Sequence, residues 1–193
     1  MLYQTVRQDS NVLEVLGRVD ADLALATRTE RCRCGGALHV SNYPRKPRGP
    51  SPWGLPAGCG FRLSFTCGVC RKRTTPHSTL FLGRRVYLGA VVVLVATLRH
   101  GPTRTRMAVL QAEWGVPKRT VERWCEWWRT AFARSPFWRS ARARFAPPIE
   151  EAVLPFSLAG AFGVESGGTN RLRALLRFLL PVTTRPWLLA QVS

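Results

Sequence analysis

Four cysteines in two short-spaced pairs are the side chains of this sequence best suited to chemistry. Cys32 and Cys34 stand in RCRCGG, and Cys67 and Cys70 in TCGVCRKR. A tetrahedral soft-metal site needs four ligands from two places in the chain, and one turn can present two thiolates to one ion. Gly35 and Gly36 follow the first pair and Gly68 sits inside the second, where a tight backbone is needed. The spacing therefore predicts a Zn2+ site made by Cys32, Cys34, Cys67 and Cys70. The second pair has the common C-x-x-C spacing; the first has the rarer C-x-C. Cys59 and His39, and less readily His77, are alternative ligands. Failing that role, Cys59 reads as a free thiol on a loop, and Cys125 as a core residue of a later helix.

A catalytic zinc keeps one position open for water and has a general base nearby. Here sulfur can fill all four positions, and no Asp or Glu occurs between Glu30 and Glu113. The expected role of the metal is structural, folding a segment too small to bury much core. A P-loop, an HExxH helix and a GxSxG elbow are absent. The expectation is that the chain is not an enzyme.

The elements that must position this site belong to a chain of 193 residues, 46% hydrophobic, with seven Trp and nine Phe. That length allows one ordinary domain or two small ones, and the composition predicts a folded core. The net charge is +18 and unevenly placed: residues 1–30 carry three basic and five acidic side chains, the rest 26 basic and six acidic. Such an excess opposes compaction unless a polyanion, a thiolate cluster or spatial separation offsets it. Nucleic acid is the favoured partner, ahead of an anionic membrane surface.

No signal peptide is evident, and the apolar run of residues 86–98 is short for a bilayer and bracketed by Arg84, Arg85 and Arg99. It reads as a buried helix. The expected location is the cytoplasm, associated with the nucleoid and without membrane contact. Clustered cysteines in such a reducing compartment favour metal over disulfides.

Basic residues clump around the cysteines. Arg45, Lys46 and Arg48 lie in a proline-rich loop, Arg71, Lys72 and Arg73 follow the last cysteine, and Arg84 and Arg85 come next. An extended proline-rich backbone suits phosphate contacts or minor-groove insertion. FRLSF reads as a strand.

Further on, TRTRMAVLQAEWGVPKRTVERWCEWWRTAF reads as two helices joined at Gly115. In the first, Met107, Leu110 and Trp114 share a face, with Thr103 as a candidate cap. Pro117 fits the first turn of the second. There Val121, Trp124, Cys125, Trp128 and Phe132 share one face, and Arg119, Arg123, Glu126 and Thr130 the other. A short Gly-containing turn between helices is the helix-turn-helix signature. Docked in a major groove, the second helix would offer Lys118, Arg119, Thr120 and Arg123.

SPFWRSARARFAPP suggests a short basic helix with Arg139, Arg142 and Arg144, and SLAGAFGVESGGTN reads as irregular. RLRALLRFLL suggests an amphipathic helix with Leu172, Leu175, Leu176 and Leu179 beside Arg171, Arg173 and Arg177. That helix could dock on its own domain, form a homodimer or recruit a protein partner. The expected class is α+β, a small zinc ribbon followed by a mostly helical helix-turn-helix domain. Its segments are an N-terminal arm or short helix (1–30), the ribbon (31–80), the helix-turn-helix domain (84–145) and a C-terminal extension (146–193).

The run RCRCGG, YPRKPRG, TCGVCRKRTTPHS, FLGRRVYLGA and GVPKRTVERW resembles the N-terminal part of bacterial transposase-type proteins, a zinc ribbon followed by a helix-turn-helix. The resemblance covers roughly residues 30–132. It implies that Cys32, Cys34, Cys67 and Cys70 are the ribbon thiolates, and that Lys118, Arg119, Thr120 and Arg123 open the recognition helix. The departure is the missing catalytic part. Transposases hold two divalent metals on acidic side chains, whereas after residue 31 only Glu113, Glu122, Glu126, Glu150, Glu151 and Glu165 remain. The expectation is a double-stranded DNA-binding protein, a transcription regulator or mobile-element accessory factor. Alternatives are an adaptor working through its C-terminal helix and, least favoured, a divalent-metal nuclease or transposase. RNA is a further possible ligand, but no recognised RNA-binding signature organises the aromatics.

Overall fold

The computed structural model describes residues 11–45, 57–82, 88, 103–162 and 168–184. Among them the chain is α+β, with six α-helices and two small antiparallel sheets. Helix α1 (Val12–Thr29) takes most of the segment expected to be an arm or short helix. Its buried residues Val12, Leu13, Leu16, Val19, Asp20 and Ala24 recur at three- and four-residue spacing, so one face turns inward. Glu14 in its first turn and Arg28 in its last complement the helix dipole. Just past its end Arg31 adopts a positive φ of 63°, and Cys32 follows at once. A rigid element thus delivers the first cysteine pair.

Five short strands follow: β1 (Leu38–Val40), β2 (Tyr43–Pro44), β3 (Phe61–Arg62), β4 (Phe65–Cys67) and β5 (Arg73–Thr74). The larger sheet has the order β1-β4-β5, and β2 pairs with β3. FRLSF, expected to be one strand, is split between the two sheets. At the break, the Ser64 amide donates to the Asn42 side chain at 3.0 Å and its carbonyl accepts from the Ser41 amide at 2.9 Å.

Helices α2 (Arg104–Trp114) and α3 (Lys118–Trp127) are joined by three residues. Gly115 has φ +58°, its amide returns to the Gln111 carbonyl at 3.1 Å, and Val116 is fully buried. A glycine meets this left-handed position without the Cβ penalty. Pro117 occupies the cap position of α3, one residue ahead of the expected first turn. Met107 and Leu110 are buried, as are Val121, Trp124, Trp128 and Phe132, while Cys125 is partly buried. The end of α3 widens into a π-helical turn over Trp128–Phe132, which accommodates the adjacent buried rings of Trp127 and Trp128.

Helix α4 (Pro136–Ala141) starts on a Ser135 cap whose hydroxyl accepts from the Trp138 amide at 3.1 Å. Arg139, Arg142 and Arg144 are exposed along it and the turn that extends it. Helix α5 (Phe156–Ala161) lies where irregular chain was expected; Leu158 and Ala159 bury its inner side. Helix α6 (Gly168–Phe178) carries three of the predicted leucines, and Leu172, Leu175, Leu176 and, just past its end, Leu179 are all buried in the chain's own core. The Arg171 Nε donates to the Ala159 carbonyl at 2.7 Å and ties α6 to α5.

One large apolar cluster joins Val12, Leu13 and Leu16 of α1 to Cys59, Leu80–Leu82, the α2–α3 pair, Trp138, and the leucines of α6. The core thus crosses the segment boundaries drawn on composition. A second, small cluster comprises Ala24, Leu38, Phe65 and Cys67, with Cys32, Leu63 and Cys70 packed against it. Leu88 is buried and bridges to Phe81; the rest of the apolar run at 86–98 lies outside the described residues. Among the described residues no helix is long and apolar enough to cross a membrane.

Candidate metal centre and basic surfaces

Between them, α1 and the β4–β5 hairpin bring Cys32, Cys34, Cys67 and Cys70 together, with all four sulfurs within 4.8 Å of one another. The Cys32 and Cys70 sulfurs are 3.6 Å apart and the Cys34 and Cys67 sulfurs 3.5 Å. Metal–sulfur bonds of about 2.3 Å in a tetrahedron place the sulfurs about 3.8 Å apart, whereas a disulfide requires about 2 Å. All six cysteines are free thiols. Donor type, number and spacing fit a closed tetrahedral ion.

The two pairs are built alike. The Cys32 amide donates to the Gly36 carbonyl and the Cys67 amide to the Lys72 carbonyl, each at 3.0 Å. Inside each loop a second bond closes the turn, Gly35 N–H to the Cys32 carbonyl (2.7 Å) and Arg71 N–H to the Cys67 carbonyl (3.1 Å). The residue after each second cysteine is left-handed, Gly35 at φ +82° and Arg71 at +59°. C-x-C is thus the same knuckle as C-x-x-C with one residue fewer. Gly36 lies where the knuckles meet: a Cβ there would come 2.6 Å from the Cys67 sulfur and 2.9 Å from Val69 Cγ2.

Hydrogen bonds polarise the sulfurs unequally. The Cys70 amide, and behind it the Val69 amide, donate to Cys67 Sγ at 3.4 Å and hold that thiol down at about 6. A Gly36 backbone donor lowers Cys34 in the same way. For Cys70 a Lys72 backbone donor lowers the pKa, but the Cys34 sulfur, burial and the other two sulfurs outweigh it and push the thiol up to about 11. Four thiolates this close repel one another, and a bound cation removes the conflict.

The alternative ligands lie elsewhere. His39 is exposed on β1 beside Gly68, and His77 is exposed with its Nδ1 3.4 Å from Thr184 Oγ1. Cys59 is a free thiol as expected, but it is 1% exposed inside the helical core rather than on a loop surface. Burial first, and then the charge of Asp20, push it up to about 11.

Of the predicted phosphate and base contacts, Arg71, Lys72, Arg73, Lys118, Arg119 and Arg123 are exposed. Lys118 pairs with Glu122 at 3.6 Å. Arg45 is half-buried, its guanidinium 5.4 Å from the Phe81 ring centroid. Thr120, expected outward with its neighbours, is instead 7% exposed beside Val121, at the edge of the apolar stripe, where its hydroxyl accepts from Arg123 at 3.4 Å. Lys46, Arg48, Arg84 and Arg85 lie outside the described residues.

Sequence reasoning missed a buried polar junction. Asp20, on the inner face of α1, accepts from the Ser78 hydroxyl and from the amide and hydroxyl of Thr79. The Ser78 amide in turn donates to Thr183 Oγ1 at 3.2 Å. Nearby, the buried Arg62 donates to the Pro76 carbonyl. The available signal was one acid at a helical position otherwise reserved for apolar residues.

Neither a family model, nor a curated protein, nor a solved structure matches this chain. The site is therefore interpreted from its own residues.

Proposed function

We propose that the chain is a zinc-stabilised, sequence-reading protein of double-stranded DNA, acting without chemistry of its own. The observation that carries this is the exposed basic start of α3: Lys118, Arg119 and Arg123 face solvent, while Val121, Trp124 and Trp128 fix the helix from behind. A helix held rigidly by its apolar side and entered through a three-residue turn is suited to a major groove, where Arg reads guanine with two hydrogen bonds. The charge of +18 supplies the sequence-independent attraction to phosphate. Zn2+ is the natural ion for four thiolates in a closed tetrahedron, and when bound it folds the ribbon rather than activating water.

The transposase-type resemblance supports the same reading, and the scarcity of carboxylates argues against cleavage. The biological role is that of a transcription regulator or a mobile-element accessory factor in the cytoplasm, at the nucleoid. The adaptor reading is weaker, because the leucine face of α6 is occupied within the chain. A partner or a second copy would have to meet its arginine side.

The test is selection of bound sequences from random duplex DNA by zinc-loaded protein at about 150 mM salt, near physiological ionic strength. Enrichment of one site, lost in the Arg119→Ala, Arg123→Ala double variant with its fold intact, is the expected result. Retained binding with no enriched site would replace sequence reading with architectural binding. Absence of binding would overturn the proposal.

A further inference from the structure

The three-stranded sheet has one side turned to the small core with Cys67 and one turned outward. Leu38, Phe65 and Cys67 are buried on the inner side. On the other, the register pairs His39 with Thr66 and Thr66 with Arg73. The His39 ring lies beside Gly68, at the end of β4 away from Ser64, where the Arg73 head group sits. Thr66 and Arg73 are therefore the pair that can act together. His39 and Arg73 are exposed and Thr66 is half-buried.

Arg73 differs from an ordinary surface arginine because its head group is held. Nη1 donates to the Ser41 carbonyl at 3.3 Å and to Ser64 Oγ at 3.4 Å, and Nη2 to Ser41 Oγ at 3.4 Å. The guanidinium also lies 5.4 Å from the Tyr43 ring centroid. These contacts take one edge of the fork. The Nε–H and the outer Nη2–H form the other edge, and no described residue occupies it. That edge can grip two oxygens of one anion. A cation already held in place loses less entropy on binding than a free side chain does.

We propose that Thr66 and Arg73 form a phosphate seat on the ribbon, which takes a phosphodiester of the duplex DNA backbone. The assignment rests on the DNA-binding reading and gives the ribbon a contact separate from α3. The sequence between residues 31 and 82 contains no carboxylate, so the ribbon offers Arg73 no anionic partner of its own. Exposed Arg33, Arg71 and Lys72 sit on the two adjoining knuckles. Cations spread in this way match a repeating polyanion better than a single carboxylate. Arg73 supplies the bidentate grip and Thr66 a hydroxyl donor. The seat positions the protein and carries no sequence preference.

The experiment measures binding of the full, metal-loaded chain to a labelled random-sequence duplex across a salt series. Arg73→Ala is expected to weaken binding about tenfold near 150 mM salt and to reduce the log–log salt slope by about one, the value for a lost phosphate contact. Arg73→Lys is expected to keep the slope but bind several-fold more weakly, because a point charge replaces the fork. Thr66→Val is expected to lose about threefold, the size of one modest hydrogen bond. Metal content and melting temperature establish that each variant is folded. If Arg73→Ala loses its metal, Arg73→Lys and Thr66→Val decide the matter alone.

Folded variants that bind within twofold of wild type at an unchanged slope would overturn the seat while leaving the DNA reading intact. Failure of the wild type to bind duplex would overturn both. Poly-glutamate that displaces the duplex at equal charge would overturn the assignment to DNA in favour of an acidic protein partner.

Discussion

Around the four cysteines the buried apolar side chains are few: Ala24, Leu38 and Phe65, with Cys67 itself among them. Around Trp128 they run from Val12 through Trp124, Phe132 and Trp138 to Leu179. The first region has too little apolar surface to offset the ordering of its loops, and its geometry converges on an ion site instead. The second gathers four tryptophans and the α6 leucines, and dispersion and burial hold it together. Helix α1 belongs to both, with Leu16 in the large cluster and Ala24 in the small one. Asp20 lies between those residues and binds Ser78 and Thr79, where the ribbon passes into the helical region. One helix therefore links the cysteine cluster, which could hold a metal, to a region organised by packing.

The sharpest way to break this comparison is to remove the metal. Chelation, or Cys67→Ser, is expected to unfold the ribbon, because structural zinc contributes about 10–16 kcal/mol of apparent binding free energy in small domains. The near-UV signal of the helical tryptophans is expected to persist. Its loss together with the ribbon would show the two regions to be one cooperative unit.

The reverse perturbation is Leu175→Ala. Leu175 is fully buried, and truncation of such a side chain costs about 2–5 kcal/mol. The melting temperature of the helical region should fall while the metal stoichiometry stays unchanged. Metal loss at the same temperature would contradict independent means of support.

Asp20→Ala addresses the junction. It leaves the Ser78 hydroxyl and the Thr79 amide without their acceptor, at a cost of about 1–3 kcal/mol for each buried donor left unsatisfied, while the Thr79 hydroxyl keeps the Leu16 carbonyl at 3.1 Å. The expected signature is a wider gap between the ribbon and helical unfolding transitions in calorimetry. Equal shifts of both transitions would mean that the two regions are coupled elsewhere.

The smallest effect is expected at Glu151. Its carboxylate accepts from Arg142 and from Trp138 Nε1, both at 2.8 Å. The Arg142 bond first, and then that of Trp138, hold its pKa below the ordinary 4.5. A lowered folded pKa means that its contribution is complete above the unfolded value and disappears as pH falls through the folded one. Because the pair is well exposed, Glu151→Gln should cost less than about 1 kcal/mol at neutral pH. The gap in melting temperature between variant and wild type should close as pH falls below 4.5 and through the lowered folded pKa. A gap that persists in acid would assign the effect to packing.

The metal quartet, the α2–Gly115–α3 pair and the amphipathic α6 were legible from residue order. Each rests on short-range rules: two thiolates per turn, a glycine where φ is positive, an apolar stripe at helical spacing. The split of FRLSF was not, because strand propensity does not say which partner each half will meet. Helix α5 was hidden by its small residues, whose helical state depends on Leu158 and Ala159 finding the core.

The sequence by itself determined the kind of site, since only sulfur ligands cluster and carboxylates are missing from the ribbon. It also determined the charge of +18, on which the proposed binding to duplex DNA draws. The fold decided that Cys59, His39 and His77 stay outside the quartet, why Gly36 must lack a Cβ, and that Thr120 and Cys59 turn inward. It alone placed Asp20 against Ser78 and Thr79, and Arg73 against Tyr43 and Ser41. Periodicity is a property of neighbours along the chain, whereas these contacts join residues brought together only when the sheets and helices close on their cores.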